Sequence, residues 1–244
     1  MSVLLVTLAI GEKFIVEYNS LFRQSHEEYA KKCGYDFKVI TEHLDHTYNT
    51  ETISIYLQKV LICSQEWDYE YIVFIDADIL IHRAAPPIHD FMDLGGKIGI
   101  VEEYSQPTKE MRLWIQRING WETSAADYYK LAGFDLSTDM VFNSGVMVFQ
   151  PKLHREFLEN IYNTYIEQFI HHPRGAHFEQ SCIGYELQTR NMYTLLPKKF
   201  NAIWSLQASS EGNMVSASDF FRSNYFMHFA GHFGYNDIPA LYTF

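Results

Sequence analysis

Basic residues are scarce in this sequence. Its 244 residues include 19 Lys and Arg against 30 Asp and Glu, which gives a formal net charge of -11 at pH 7. No Lys/Arg-rich run occurs along the chain, and a nucleic-acid surface needs such a cluster. The composition therefore argues against a nucleic-acid partner. An anionic ligand would need local help, from a metal ion or from the N-terminus of a helix.

Long apolar runs are also missing. No stretch approaches the roughly 18 consecutive apolar residues of a membrane span. The N-terminal residues lack the basic lead and apolar core of a secretory signal. We therefore expect no membrane span, and we predict a soluble, cytoplasmic chain.

Cysteine is rare as well. Cys33, Cys63 and Cys182 lie far apart, and three thiols cannot all pair. Each has an apolar or helical context, which favours buried, reduced thiols and a cytosol-like compartment.

Apolar residues, in contrast, make up 47% of the sequence, enough for a sizeable core. In the first third of the chain, apolar runs of strand type alternate with helical patterns. The predicted strands are 2–9, 35–40 and 71–81, and the predicted helices are 12–33 and 53–61. This βαβαβ order predicts right-handed crossovers and an α/β fold with a central, mainly parallel sheet flanked by helices.

The rest of the chain continues the α/β pattern. Strands are predicted at 98–101, 140–149 and 192–196, and an amphipathic helix at 152–169. Residues 104–138 are polar, aromatic and interrupted, which indicates either the wall of a site or a surface insertion; we favour the wall. Because no repeat, linker or composition break divides residues 1–244, we expect a single domain.

Asp76 and Asp78 stand out because each adjoins an apolar run. In an extended segment, residues two apart face the same side. Two carboxylates on one face are costly unless a cation lies between them, and the carboxyl end of a strand is where ligands bind in open α/β sheets. The motif alone is equally consistent with a cation site and with a polar strand end in which one Asp caps the next turn.

One imidazole would complete a mixed oxygen and nitrogen site. Carboxylates suit Mg²⁺ or Mn²⁺, and an added imidazole shifts the preference towards Mn²⁺. His228 is the best candidate, because it lies between apolar residues and Gly231 beyond it permits close approach. A buried core histidine is the alternative, and His232 and His82 are rival ligands.

Four motifs follow one another along the chain: Asp76-Ala77-Asp78, the strand from Phe142 to Phe149, Glu179-Gln180 at a helix start, and His228-Phe229-Ala230-Gly231. Together they resemble the GT-A glycosyltransferases, in particular the retaining branches that contain glycogenin, bacterial galactosyltransferases and α-galactosyl/xylosyltransferases. The likeness runs from Val3 to about Gly234. It implies a Rossmann-like GT-A domain that transfers a sugar from a nucleotide diphosphate, with UDP favoured, to a hydroxyl acceptor such as a glycan, with retention.

The resemblance also implies roles for individual residues and for the two halves of the chain. The metal ligands would be Asp76, Asp78 and His228, holding Mn²⁺ or, alternatively, Mg²⁺. The donor-binding residues would be Thr7, Leu8, Ala9, Lys59, Asp76, Ala77, Asp78, Ser144, Gly145 and Gly231. The catalytic residues beside the transferred sugar would be Asn143, Glu179 and Gln180. Residues 1–103 would form the nucleotide-binding half and 104–244 the acceptor-side half with the late metal-ligand motif.

The sequence departs from this family at two places. Relatives follow the late motif with a Lys-Pro-Trp segment whose Lys binds phosphate, whereas Gly234-Tyr235-Asn236 stands here. Neutralising the diphosphate would then depend on the ion or on another cation such as Lys59. The sequence is equally consistent with Lys59 being a solvated helix residue. Many relatives also have Asp-Gln in place of Glu179-Gln180.

Other functions stay open at this level. An inverting enzyme would need a carboxylate base, for which Asp135, Asp139 and Glu179 are candidates. A non-catalytic module that binds nucleotide or carbohydrate is one alternative. A phosphotransferase with Asp76 as nucleophile is a less favoured one, because Leu80 stands where such enzymes place Thr or Val.

Overall fold

The computed structural model describes residues 1–47, 56–120, 124–171, 178–209 and 215–242. The elements of the first part are β1 (Val3–Leu8), α1 (Glu12–Leu21), α2 (Arg23–Cys33), β2 (Asp36–Ile40), a 3-10 helix (Gln58–Ser64), β3 (Tyr71–Ile75), β4 (Ile79–Ile81), a second 3-10 helix (Ile88–Phe91) and β5 (Ile98–Glu102).

The remaining elements are α3 (Lys109–Asn119), α4 (Ala125–Leu131), β6 (Phe142–Phe149), α5 (Pro151–His171), α6 (Phe178–Thr189), β7 (Tyr193–Leu195), a 3-10 helix (Lys198–Asn201), β8 (Ala202–Ile203), α7 (Trp204–Ala208), α8 (Ala217–Ser223), β9 (Phe226–His228), 3-10 turns at Ala230–His232 and Tyr235–Asp237, and α9 (Ile238–Leu241). None of the helices in the described part of the chain is long and apolar enough to cross a membrane.

The main sheet has six strands in the order β2-β1-β3-β6-β5-β7. β1 pairs in parallel with β2 and β3, and β5 pairs in parallel with β7. Among these six strands, β6 alone runs against its neighbours, β3 and β5. The predicted α/β fold with a mainly parallel central sheet is therefore confirmed.

Both faces of the main sheet are buried. Leu4 and Phe74 face a core shared with the 3-10 helix Gln58–Ser64 and with α5. Leu5 and Val73, one residue away on the same strands, face a second core that includes Tyr29 from α2. This two-residue alternation, with apolar residues on both sides, is what a sheet covered by helices requires.

A small second sheet, in the order β4-β9-β8, corrects the prediction of one strand over 71–81. The chain leaves the main sheet after Ile75, turns at residues 76–78 and continues as β4 beside β9. Asp76 and Asp78 therefore lie in a turn, not in an extended segment with same-face spacing. The apolar pattern did not show this break because the residues on both sides of it are buried.

Two predicted helices also differ from the structure. The helix predicted at 12–33 is divided at Phe22, whose φ of -123° interrupts the helical backbone between α1 and α2. Of the helix predicted at 53–61, residues 53–55 lie outside the described residues. The following chain forms the 3-10 helix Gln58–Ser64. Residues 104–138 contain α3 and α4, and all three cysteines are free thiols.

Candidate active site

Asp76, Asp78 and His228 come together at one edge of the main sheet. Each offers one ligand atom, and these atoms all lie within 4.8 Å of one another. Among the described residues, no other group of three His, Cys, Asp or Glu side chains meets this description. These three residues thus form a cluster, to which the turn after β3 contributes the aspartates and the second sheet contributes His228.

The pairing of β4 with β9 puts His228 at this position. Ile79 is the register partner of His228, and the Phe229 N–H donates to the Asp78 carbonyl at 3.0 Å. His228 Nε2 then lies 3.3 Å from Asp78 Oδ1. The turn at 76–78 is therefore what brings both carboxylates close to the imidazole.

Asp78 and His228 each stabilise the charged form of the other. Burial alone would raise the pKa of Asp78, but the neighbouring His228 lowers it below its usual value. Burial alone would lower the pKa of His228, yet Asp78 raises it. Without an ion, the two side chains therefore favour a carboxylate next to an imidazolium.

Lys59 is part of the same cluster. Its ammonium donates to both Asp76 oxygens, at 3.0 and 3.3 Å, and to Ser144 Oγ at 3.2 Å. The residue is 3% exposed, so it is not a solvated helix residue. Burial lowers the pKa of Lys59, but Asp76 and then Glu179 raise it above its usual value. Lys59 is therefore a buried cation that neutralises one carboxylate of the cluster.

Gly145 makes room for the His228 ring. β6 is irregular here, because its register against β5 shifts between Ile100 and Val101. A Cβ atom at Gly145 would lie 2.6 Å from His228 Cε1 and 2.8 Å from Asn143 Oδ1. Gly145 therefore lies at an irregular point of β6 where two side chains approach the backbone closely.

A buried polar network continues from Asn143 away from the cluster. Glu103 accepts hydrogen bonds from Asn143 Nδ2 and Gln180 Nε2, each at 3.0 Å, and pairs with Arg112 at 2.7 Å. Glu103, Arg112 and Asn201 were not predicted as site residues. Glu103 had a signal comparable to that of Asp76, since it is an acidic residue directly after a buried strand.

A cavity of about 220 Å³ opens beside the cluster. Six predicted residues line it: Leu8, Lys59, Asp76, Ala77, Asp78 and Gly231. Eight further residues of its wall were not predicted as donor-binding: Ile10, Phe14, Glu17, Tyr18, Phe22, Tyr56, His232 and Tyr235. The wall is thus mainly apolar and aromatic, and Glu17, Lys59, Asp76, Asp78 and His232 form its charged and polar part.

His232 lies in this cavity in an unusual conformation. Its φ is +63°, in the left-handed region that only a few per cent of non-glycine residues adopt. The ring stacks on Tyr235 with centroids 5.0 Å apart and meets Phe14 edge-on at 5.9 Å. His232 does not belong to the Asp76, Asp78 and His228 group.

Thr7, Ala9 and Glu179 do not line the cavity. The Thr7 and Ala9 side chains are buried in the interior, at 0% and 1% exposure. Glu179 is 7% exposed at the start of α6. The rival ligand His82 packs edge-on against Phe221 at 4.9 Å and accepts the Ala84 N–H, outside the cluster.

The donor set fits a divalent cation. Two carboxylates and one imidazole are the ligands that Mn²⁺ accepts, and they leave positions open for ligand oxygens. His228 Nδ1 is already bonded to Asn201, which leaves Nε2 as the nitrogen on the side of Asp78. The residues present therefore match the ion that the motif implies.

One family model and several solved structures match this chain. The model of glycosyl transferase family 8 matches residues 2–233. A glycosyltransferase involved in glycosylation of the major capsid of PBCV-1 superimposes with a TM-score of 0.62, at 14% identity over 100% of both chains. No curated protein sequence matches the chain.

Two further solved structures have the same fold. Galactosyltransferase LgtC, in complex with donor and acceptor sugar analogues, gives a TM-score of 0.61 at 15% identity, over 99% of this chain and 95% of LgtC. Mouse xyloside xylosyltransferase 1 gives 0.52 at 13% identity, over 95% and 99%. At these identities the likeness shows the fold, which is that of GT-A glycosyltransferases.

Proposed function

Because the chain belongs to glycosyl transferase family 8, we propose that it is a metal-dependent enzyme that transfers a sugar from a UDP-sugar to a hydroxyl of a glycan, with retention. The observation that carries this proposal is the position of Asp76, Asp78 and His228 at the edge of the cavity. A nucleotide diphosphate is the ligand whose two parts suit such a site. Its base needs an apolar and aromatic wall, and its phosphates need a cation.

The cavity wall supports a nucleotide as ligand. Leu8 and Ile10 lie where the chain leaves β1, and Phe14 and Tyr18 come from α1. Aromatic and aliphatic side chains of this kind suit the faces of a planar base. Residues from both the 1–103 half and the 104–244 half line the cavity. We propose that the first half binds the nucleotide, while the second supplies His228 and the acceptor side.

Asp76, Asp78 and His228 would hold the ion. When bound, the ion would act as a Lewis acid on the leaving diphosphate and neutralise the charge that develops there. The described part of the chain supplies few cations for that purpose. Lys59 is committed to Asp76 and Ser144, and the Lys of the Lys-Pro-Trp segment is missing. Among the described residues that line the cavity, Lys59 and His232 are the basic ones.

The sugar side of the site would be formed by Asn143, Glu179 and Gln180. Glu103 orients the amides of Asn143 and Gln180 through its shared carboxylate oxygen, so both are held rigidly before the donor arrives. Asp135 and Asp139 are exposed, and Asp139 pairs with Lys109 at 3.1 Å. Of the three base candidates, Glu179 is the buried one, and its charge raises the pKa of Lys59. Retention is proposed because the motifs resemble those of the retaining branches.

Replacement of one metal ligand tests the proposal. We expect Asp78→Asn to lower UDP-sugar hydrolysis in the presence of Mn²⁺ by more than about 100-fold, since even the partners of metal ligands contribute roughly 10- to 100-fold. Circular dichroism and melting temperature should show an intact fold. Asp68→Asn is a matched control, because Asp68 is fully exposed and pairs with Lys152 on the surface.

Thermal shift with UDP and Mn²⁺ completes the test. UDP should raise the melting temperature of the wild type much more with Mn²⁺ than with EDTA, because a ligand that binds only the folded state stabilises it by mass action. Near wild-type turnover in Asp78→Asn contradicts the metal assignment. UDP binding without turnover of any sugar nucleotide would instead support a non-catalytic binding module.

A further inference from the structure

Asn201 lies directly behind the metal cluster and links it to the buried polar network. It ends the 3-10 helix Lys198–Asn201, immediately before β8, and its side chain is 0% exposed. Asn201 Oδ1 lies 2.8 Å from His228 Nδ1, and Asn201 Nδ2 lies 2.7 Å from Asn143 Oδ1. The amide therefore bridges His228 and Asn143.

The donors and acceptors of this network follow from two groups whose roles are fixed. The carboxylate of Glu103, paired with Arg112, can only accept, so the nearby amide atom of Asn143 must be Nδ2. The backbone N–H of Gly145 can only donate, at 2.9 Å, so it faces Asn143 Oδ1. Both contacts fix the same orientation of Asn143.

The orientation of Asn201 follows from that of Asn143. Since Asn143 presents Oδ1, Asn201 must present Nδ2 to it and Oδ1 to His228. An oxygen 2.8 Å from Nδ1 accepts a hydrogen bond, which requires a proton on Nδ1. His228 Nε2, on the side of Asp78, is thereby the nitrogen left to bind an ion.

We propose that Asn201 is a positioning residue that keeps the His228 proton on Nδ1 when an ion binds, so that Nε2 is the ring nitrogen that gives up its proton and becomes the metal ligand. The inference rests on the proposed metal-dependent function. An amide suits this place because it donates to Asn143 and accepts from His228 at once. A metal-bound histidine commonly donates its other ring N–H to such a partner, which fixes the ring and its tautomer.

The first experiment measures Mn²⁺ binding to the full chain by calorimetry, without nucleotide or sugar. Asn201→Leu removes the acceptor at similar size, and we expect Mn²⁺ affinity to fall by about 10- to 100-fold. Asn201→Asp keeps an acceptor for Nδ1–H but loses the donor to Asn143, so it should retain most of the affinity while its melting temperature falls. Asn224→Leu is a matched control, because the Asn224 amide donates to the Phe220 carbonyl at the end of α8, outside the network.

The pattern across these variants separates positioning from plain structural support. A structural role predicts that affinity and melting temperature fall together in both Asn201 variants, and that outcome overturns the inference. Wild-type Mn²⁺ affinity in Asn201→Leu overturns it as well. If the wild type itself binds no Mn²⁺, the proposed metal site fails, which is a separate result.

A spectroscopic measurement on the wild type tests the same inference and does not depend on whether an Asn201 variant folds. Side-chain ¹⁵N spectra of the wild type with diamagnetic Cd²⁺ report which ring nitrogen carries the proton, and His228→Gln identifies the signal. We expect His228 to be protonated at Nδ1 with Cd²⁺ on Nε2. Protonation at Nε2 with the ion on Nδ1 contradicts the assignment.

Discussion

At Gly145 an added atom would collide with the cluster of Asp76, Asp78 and His228 and with its neighbour Asn143. A methyl group there would meet the His228 ring and the Asn143 oxygen, both at less than 3.0 Å, and neither can move freely. We expect Gly145→Ala to displace His228, to lower Mn²⁺ affinity at least tenfold, and to destabilise the protein by about 1–3 kcal/mol. Calorimetry and denaturant unfolding measure the two effects.

Gly34→Ala provides the control for Gly145→Ala. Gly34 has φ +70° at the C-terminus of α2, and no atom of the described residues would lie within 4 Å of an added methyl group, so its substitution strains the backbone without a clash. It should destabilise the fold by about 1 kcal/mol and leave Mn²⁺ affinity unchanged. Unchanged affinity in Gly145→Ala would contradict the close approach as the reason for the glycine.

His26 gives the fold a sensitivity to acid. Burial lowers its pKa from 6.5 to about 4, against the smaller effect of the hydrogen bond from Nε2 to the Ile79 carbonyl at 2.6 Å. Between pH 4 and 6.5, His26 takes up a proton in the unfolded chain but not in the folded protein. The free energy of unfolding therefore falls as the pH drops from 6.5 to 4, by about 3 kcal/mol in total.

Urea unfolding at several pH values checks this contribution. In His26→Gln the part of the acid destabilisation between pH 6.5 and 4 that belongs to His26 should be absent. The exposed His46 offers a matched control, His46→Gln, for loss of an imidazole. An unchanged pH dependence in His26→Gln would show that other groups cause the acid sensitivity.

The residues of the cluster were predictable because their neighbours in sequence mark them. Asp76 and Asp78 interrupt apolar runs, and His228 stands between apolar residues before a glycine. Asn201 and Arg112 have no comparable mark, because their partners Asn143, His228 and Glu103 are brought near only by the folded sheets. A hydrogen-bond partner far away in sequence leaves no local pattern.

The second sheet is the element that holds His228 in place. Leu80 of β4 and Met227 of β9 pack in a separate core with Tyr18 of α1 and with Phe22, which lies between α1 and α2. Leu158 on α5 belongs to the core on the main sheet. Both leucines are buried, at 1% and 0% exposure, so they form a matched pair for mutation.

We expect Leu80→Ala and Leu158→Ala each to destabilise the protein by about 2–5 kcal/mol. Only Leu80→Ala should also weaken Mn²⁺ binding, since its cavity would loosen the pairing of β4 with β9. Unfolding curves and calorimetry below the melting temperature measure the two quantities. Equal metal affinity in both variants would mean that the second sheet does not control the position of His228.

Most of the elements that were not predicted from the sequence are very short. The long strands β1, β3 and β6 and the helix α5 were predicted, because each carries many residues of one period. β4, β8 and β9 have only two or three residues, too few to show a period. The direction of β6 was also hidden, since a strand buried on both faces looks the same in either orientation.

The net charge of -11 makes the whole molecule a poor partner for an anionic ligand. Without an ion, the repulsion should weaken as salt screens it, because the screening length falls from about 30 Å at 0.01 M to about 8 Å at 0.15 M. We therefore expect UDP affinity in EDTA to rise over this range. Titrations at both salt concentrations test this, and a fall in affinity would show that local cations outweigh the overall charge.

The triad joins parts of the chain that lie far apart in sequence. Asp78 and His228 are 150 residue numbers apart, since 228 minus 78 is 150. Bringing together the ends of a flexible loop of that length costs about 4 kcal/mol in chain entropy. An ion held by these residues would act as a reversible cross-link between the early and late segments. In a protein whose three cysteines are all free, it would serve the purpose that a disulfide serves in secreted domains, and a chelator would open it.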